Sequence, residues 1–147
     1  MNNICIFIFS FLFLNVLFAQ DNKDFNFQFS IKYNFQDSIP DKKYSFKNNK
    51  ISFSSTLKDF SGKITTRKKS KKINKFQSDE LFSFCMDNFY AYNKAFVCKS
   101  QAAAELSLEL ILKDKTIQID YAPCALNKDL TVFKNFDILL DKLLNNK

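Results

Sequence analysis

The 147-residue chain contains no histidine, no tryptophan and a single glycine, Gly62. Without histidine it can form neither a Cys–His nor a Ser–His dyad, and it lacks the commonest metal ligand of proteins. One glycine cannot build a glycine-rich phosphate loop, and the scattered cysteines lack the paired spacing of a zinc site. The sequence therefore predicts no metal site, no cofactor and no catalytic residue.

Two kinds of catalytic group remain to be considered, a cysteine nucleophile and a pair of carboxylates. Cys85 would need a base to act as a nucleophile, and it falls within an apolar helical stripe, which favours a place in the core. Carboxylates that are distant in sequence can still meet in a folded chain, although no spacing points to such a pair. We therefore expect a non-enzymatic binding or interaction domain, and a small secreted hydrolase using carboxylate or lysine chemistry is the alternative.

Residues 4–18 are apolar apart from Ser10 and Asn15. This run has the length of a signal-peptide core and falls short of the about 20 residues that span a bilayer. We expect a signal peptide at residues 1–19 and a mature domain at residues 20–147 that is secreted or periplasmic, monomeric and without a membrane-spanning segment. No Lys or Arg precedes the run, so an uncleaved anchor is the alternative.

Residues 25–36 alternate without exception between apolar and polar side chains. This period of two predicts a strand with one buried face. The 19 Phe residues of the chain make Phe the main filler of a single core. The apolar positions of the strand are Phe25, Phe27, Phe29, Ile31, Tyr33 and Phe35.

A hairpin is predicted around Asn48 and Asn49, since Asn tolerates the positive φ of a two-residue turn. This turn places Phe46 opposite Ile51, so that the apolar faces of both strands coincide. A second reversal at residues 59–62 would place Leu57 opposite Ile64 and begin a fourth strand. The polar outer positions would then be Ser52, Ser54, Thr56, Lys63, Thr65 and Arg67.

A helix is predicted from about residue 79 to residue 95, with Ser78 as its N-cap. Its apolar stripe should lie on the Phe face of the sheet. The stripe comprises Leu81, Phe82, Cys85, Met86, Phe89, Tyr92 and Phe96.

Two alternating apolar segments around Asp114 and Lys115 predict a second hairpin. Its register sets Glu109 opposite Asp120, a like-charge pair that costs stability. A helix starting at Gln101 is the competing interpretation, because Ala and Leu favour helices. The predicted apolar pairs are Leu112 with Ile117, Leu110 with Ile119 and Leu108 with Tyr121.

The last predicted element is a helix capped by Asn127. Its apolar side comprises Leu130, Phe133, Phe136, Leu140, Leu143 and Leu144. The predicted order is therefore ββββαββα. The predicted class is α+β, in which an antiparallel sheet, a four-stranded meander plus a later hairpin, carries both helices on one face.

The positive charge of the chain is concentrated in residues 63–75. Without the seven basic residues of this segment, 15 Lys and Arg would balance 15 Asp and Glu. Such a segment could hold an anionic polymer or an envelope surface by counterion release. The alternative is a mobile, solvated loop beyond an edge strand, where lysines deter strand association. The candidate binding residues are Lys63, Arg67, Lys68, Lys69, Lys71, Lys72 and Lys75.

Three cysteines remain once Cys5 is removed with the signal peptide. A helix that ends near residue 95 places Cys85 about 15 Å before its end, which disfavours a bond to Cys98. The predicted hairpin brings Cys124 level with Glu105, within reach of the loop that carries Cys98. We therefore predict a Cys98–Cys124 disulfide, with Cys85 free and buried.

Overall fold

The computed structural model describes residues 24–33, 39–90, 96–97, 104–122 and 128–145. The first four strands are β1 (Asn26–Tyr33), β2 (Asp41–Lys47), β3 (Lys50–Lys58) and β4 (Ile64–Lys72). They are followed by helix α1 (Lys75–Phe89), strands β5 (Phe96–Val97), β6 (Ala104–Leu112) and β7 (Lys115–Ala122), and helix α2 (Lys128–Asn145).

These strands form one sheet in the order β4-β3-β2-β1-β6-β7-β5. The six long strands are antiparallel to their neighbours, whereas the two-residue β5 runs parallel to β7 at one edge. β1 lies in the middle because it pairs with β2 on one side and β6 on the other. The predicted α+β class and the order ββββαββα are confirmed, and β5 is an addition to the predicted order.

Both helices pack on the aromatic face of the sheet. The ring of Phe136 in α2 lies 5.3 Å from Phe27 and 5.1 Å from Phe29, between ring centroids. Phe82 of α1 contacts Phe25 edge to face at 5.2 Å. The alternation of β1 therefore predicted the core correctly over residues 25–31, all of whose odd positions are buried.

The β2–β3 turn has the predicted chemistry. Asn48 and Asn49 have φ angles of 51° and 58°, the two positive values that a type I′ turn requires. The register pairs Phe46 with Ile51, as predicted, and the pairs farther from the turn follow.

The β3–β4 register differs from the prediction by one residue. Ile64 lies opposite Lys58 rather than Leu57. The Asp59 N–H donates to the Lys63 carbonyl at 3.1 Å, so the loop proper has three residues, 60–62. The Gly62 N–H donates to the Asp59 carbonyl at 2.9 Å and closes a tight turn, and Gly62, at φ 81°, is the added third residue. Such a loop is a common alternative to the two-residue turn.

A shift of one residue moves every side chain of a strand to the opposite face of the sheet. Thr65 and Arg67 therefore lie on the helix side of β4, not on the predicted polar side. Ile64 takes the polar side and is 64% exposed. The predicted loop beyond the fourth strand is also wrong, since β4 pairs with β3 as far as Lys72.

The β6–β7 register differs from the prediction by two residues. Ile117 lies opposite Leu110, and the turn consists of Lys113 and Asp114 alone. A shift of two leaves the buried face unchanged. It also separates the predicted pair of Glu109 and Asp120, which would have repelled each other.

In the observed register, Glu109 and Asp120 each have a polar neighbour of another kind. The Ser107 hydroxyl donates to Asp120 at 2.9 Å, and the Gln28 amide donates to Glu109 at 3.4 Å. These contacts replace a destabilising pair with hydrogen bonds.

Helix α1 begins four residues before the predicted start. Asn74 is the N-cap, and its side chain accepts from the Gln77 N–H at 2.9 Å while the Gln77 side chain accepts from the Asn74 N–H at 3.1 Å. This reciprocal capping box competes successfully with the predicted cap, Ser78. Ser78 is buried within the helix, and its hydroxyl has no partner among the described residues.

Several predictions concern residues outside the described ranges. They are the signal peptide at residues 1–19, the cap at Asn127 and the disulfide between Cys98 and Cys124. Cys85 is buried and forms no disulfide within the described part of the chain. Neither described helix is long and apolar enough to cross a membrane.

Candidate functional site

The sheet face opposite the helices carries rows of serine and lysine across β2, β3 and β4. Antiparallel pairing places directly opposed residues on the same face. Lys43, Ser54 and Lys68 form one such row. The next rows are Ser45, Ser52 and Ser70, and then Lys47, Lys50 and Lys72. We call these nine residues the Ser-Lys surface.

A shallow open depression of about 450 Å³ lies on this surface. Its lining contains lysines and serines but no carboxylate. Three lysines of the Ser-Lys surface, Lys43, Lys50 and Lys68, line it from three different strands. Seven residues of the Ser-Lys surface line it, together with the neighbouring Phe53 and Lys69.

The five lysines of the Ser-Lys surface are exposed. Their ammonium groups form no hydrogen bond or ion pair with any residue that the structure describes, in contrast to Lys32, which lies 3.5 Å from Glu105. Unpaired cations in a shared depression produce a positive potential that attracts anions.

The other half of the same sheet face has the opposite character. A depression of about 300 Å³ between β1, β6 and β7 is lined by Glu105 and Asp120 beside Lys32. The open face is therefore basic toward β4 and acidic toward β7. An anion would be directed to the β2–β4 half.

The structure divides the predicted binding segment, residues 63–75, between different environments. Lys68 and Lys72 belong to the Ser-Lys surface. The side chains of Arg67, Lys69 and Lys71 lie on the helix side of β4, since they oppose residues of β3 that face the core. Alternate residues of a strand necessarily separate in this way.

Two of the helix-side lysines contact the end of α2. The Lys71 ammonium donates to the backbone carbonyl of Leu143 at 2.9 Å, and that of Lys69 donates to the Asn145 side chain at 2.6 Å. The last carbonyls of a helix lack partners within the helix, and its C-terminus carries partial negative charge. These lysines therefore stabilise the position of α2.

The two ends of the predicted segment lie apart from the Ser-Lys surface. Lys63 closes the β3–β4 loop, where its N–H donates to Asp59 at 2.9 Å. Lys75 is the first residue of α1 and pairs with Asp79 at 2.8 Å. Neither side chain lines the depression.

Three lysines of the Ser-Lys surface were not among the predicted site residues. Lys43 and Lys47 alternate with buried residues of β2, and Lys50 follows the turn. The Asn48–Asn49 turn fixes the register of β2 and β3, and this register places the three lysines on the polar face. Their position could therefore have been predicted from the sequence.

A second polar cluster lies on the covered face, between β2 and α2. The Tyr44 hydroxyl lies 2.6 Å from a carboxylate oxygen of Asp137 and 2.9 Å from one of Asp141. Lys42 contacts the same two residues at 2.7 Å and 3.5 Å. We call these four residues the Tyr44 cluster.

In the Tyr44 cluster, the pKa values of the phenol and of the ammonium group are both raised. Burial, followed by the hydrogen bond to Asp137, raises the pKa of Tyr44 far above its ordinary value. Burial lowers the pKa of Lys42, but its contacts with Asp137 and Asp141 raise it more, so the net shift is upward. The phenol is therefore kept neutral and the ammonium charged.

Cys85, the candidate nucleophile of the sequence, is fully buried. Burial raises the pKa of its thiol well above the ordinary value, which disfavours the nucleophilic thiolate. Its position is that of a core residue.

No protein-family model matches the chain, and no curated protein matches it at a significant level.

Proposed function

We propose that the chain is a secreted, non-enzymatic binding domain that holds an anionic partner on the Ser-Lys surface. The observation that carries this proposal is that Lys43, Lys50 and Lys68 line one depression, have no ion-pair partners among the described residues, and share the lining with no described carboxylate. Serine hydroxyls beside them can donate hydrogen bonds to the same anion.

Besides the depression lined by Glu105, Asp120 and Lys32, a hydrolase, which is the alternative, could use the Tyr44 cluster, where two carboxylates contact one lysine. There Asp137 and Asp141 accept hydrogen bonds from Tyr44 and Lys42. Contacts of this kind between a strand and a helix are explained by docking of α2. We therefore favour binding over catalysis.

Retention on a heparin column in a salt gradient tests the proposal, with heparin as a sulfated polyanion. The triple variant Lys43→Gln, Lys50→Gln, Lys68→Gln should elute at much lower salt than the unaltered protein, because each ion pair lost reduces the salt dependence. Its melting temperature should be nearly unchanged, since the three side chains are exposed.

The matched control removes the same charge elsewhere. Lys113, Lys134 and Lys142 are exposed residues of the β6–β7 turn and α2. The triple variant with Gln at these three positions should keep its retention. Equal losses in both triples would show that net charge alone governs binding, and the Ser-Lys surface would be rejected as the site.

A further inference from the structure

Among the described strands, β4 forms an edge of the sheet and pairs only with β3. Eight of its nine residues are exposed, and Lys71 is half-buried. An edge strand presents a row of unpaired backbone N–H and C=O groups that can accept another strand. The Ser-Lys surface therefore borders an open backbone edge.

The pairing with β3 shows which backbone groups point outward. The Ile73 N–H donates to the Asn49 carbonyl at 2.8 Å, and the Asp59 N–H donates to the Lys63 carbonyl at 3.1 Å. In an antiparallel pair, residues that exchange hydrogen bonds alternate with residues that do not. The odd residues of β4 thus bond to β3. The even residues direct their N–H and C=O groups to the open edge.

The even residues of β4 also carry their side chains on the outer face. Thr66, Lys68, Ser70 and Lys72 therefore combine an outward backbone with an outer-face side chain, and the last three belong to the Ser-Lys surface. Lys68 and Lys72 are four residues apart, or about 13 Å along a strand. A strand added at this edge would place alternate side chains beside these ammonium groups.

Charge selects what kind of strand can occupy the edge. A second copy of β4 would set lysines against lysines, which is unfavourable, whereas opposite charges on facing residues stabilise a strand pair. The outer face carries no arginine and no aromatic ring on β4, so it lacks the stacking groups typical of single-stranded nucleic acid sites. An acidic polypeptide in extended conformation can form hydrogen bonds with the outward backbone groups of β4 and place carboxylates beside its lysines.

We propose that β4 binds an extended acidic segment of a partner protein by adding it to the sheet as an eighth strand, with carboxylates at alternate positions facing Lys68 and Lys72. The mode is β-augmentation, in which main-chain hydrogen bonds supply affinity and alternate side chains supply specificity. The inference rests on the proposed function, since it names the class of anionic partner for the same surface.

Synthetic peptides test the strand addition. The probe is an acetylated nine-residue peptide of alternating Glu and Thr, compared with two derivatives that carry N-methyl groups on either the Glu amides or the Thr amides. All three have the same charge. Only one methylated set blocks the amides that face β4, so one derivative should bind at least about tenfold more weakly than the other. Equal affinities of the two derivatives would overturn strand addition.

A change in the protein provides an independent test. Thr66→Pro removes an N–H that points to the open edge, where proline is tolerated, and leaves the bonds to β3 in place. Thr66 lies outside the Ser-Lys surface and does not line the depression. Thr66→Ala is the matched control because it keeps the N–H. The proline variant should lose peptide binding at least about tenfold and keep its heparin retention, and the alanine variant should keep both.

The outcomes separate this inference from the proposed function. Heparin retention without peptide binding, or full peptide binding by a folded Thr66→Pro protein, overturns strand addition and leaves the anionic surface standing. Loss of heparin retention only in the Thr66→Pro variant would also contradict the inference. If the unaltered protein binds neither heparin nor the peptide, the proposed function itself fails.

Discussion

The two faces of the sheet use the same residue types for different purposes. On the covered face, Lys42 and Tyr44 meet Asp137 and Asp141 of α2, so polar groups have partners. On the open face, lysines of the Ser-Lys surface have no ion-pair partner among the described residues. The comparison teaches that charged groups beneath α2 have partners in the helix, whereas the lysines of the Ser-Lys surface are exposed to solvent.

Neighbouring lysines of β4 alternate between contact with α2 and exposure on the open face. Lys69 and Lys71 contact the end of α2, whereas Lys68 and Lys72 face outward. Because a strand alternates between faces, a run of lysines on an edge strand is divided between docking and solvent. A count of charge along the sequence cannot separate the two.

The largest effect expected on the covered face is that of Tyr44→Phe. The substitution removes a buried hydroxyl that lies within hydrogen-bond distance of two carboxylates. Hydrogen bonds to charged groups contribute about 1.5 to 3 kcal/mol, so the free energy of unfolding at pH 7 should fall by about that amount. Urea denaturation measures it. Tyr90→Phe, at an exposed site, is the control and should change stability by less than about 0.5 kcal/mol.

The stabilisation by Tyr44 should also depend on alkaline pH. The pKa of Tyr44 is raised in the folded state, so above about pH 10 the unfolded phenol ionises while the folded one keeps its proton. The stabilisation is complete below that pH and is lost as pH rises. The stability gap between the unaltered protein and Tyr44→Phe should therefore shrink between pH 9 and pH 11. A constant gap would contradict the buried neutral phenol.

A smaller effect, of opposite sign, is expected at Ser78. Its buried hydroxyl lacks a partner among the described residues, and such a group costs about 1 to 3 kcal/mol in lost hydration. Ser78→Ala should therefore raise the free energy of unfolding by about 1 kcal/mol. Ser83→Ala is the same change at an exposed position of α1 and should give only the few tenths due to helix propensity. Equal gains in the two variants would show that the Ser78 hydroxyl carries no penalty.

Much of the fold could be predicted from local patterns. The period of two in β1, the Asn48–Asn49 turn and the apolar stripe of α2 each determine an element without reference to the rest of the chain. The two register errors both arise at turns, because the pattern of the flanking strands fixes neither the length nor the exact position of a turn. Gly62 adds a residue to one loop, and the second turn lies at residues 113–114, one residue before the predicted Asp114 and Lys115.

The candidate site was predicted less well because it depends on pairs of strands. The charge of residues 63–75 indicated a basic region. Its division into Lys68 and Lys72 on one face and Lys69 and Lys71 on the other depends on the β3–β4 register, which the extra loop residue changes. The contacts of the Tyr44 cluster join residues more than 90 positions apart in the chain, and no local pattern could reveal them.

The smallest expected effect is the most direct test of the comparison between the two faces. Lys71→Gln removes an ammonium group that contacts the Leu143 carbonyl at the end of α2, and cations at a helix C-terminus contribute about 0.3 to 1 kcal/mol. Lys72→Gln removes the same charge from the adjacent, open position. We therefore expect the first variant to lose about 0.5 kcal/mol of stability and the second to be unchanged, as measured by urea denaturation. The salt concentration that elutes the protein from heparin should show the opposite order. It should fall for Lys72→Gln and stay unchanged for Lys71→Gln, since only Lys72 belongs to the Ser-Lys surface. If the two variants have equal stability and equal retention, the faces of β4 do not divide the lysines by role, and a diffuse positive charge is the better description of this edge.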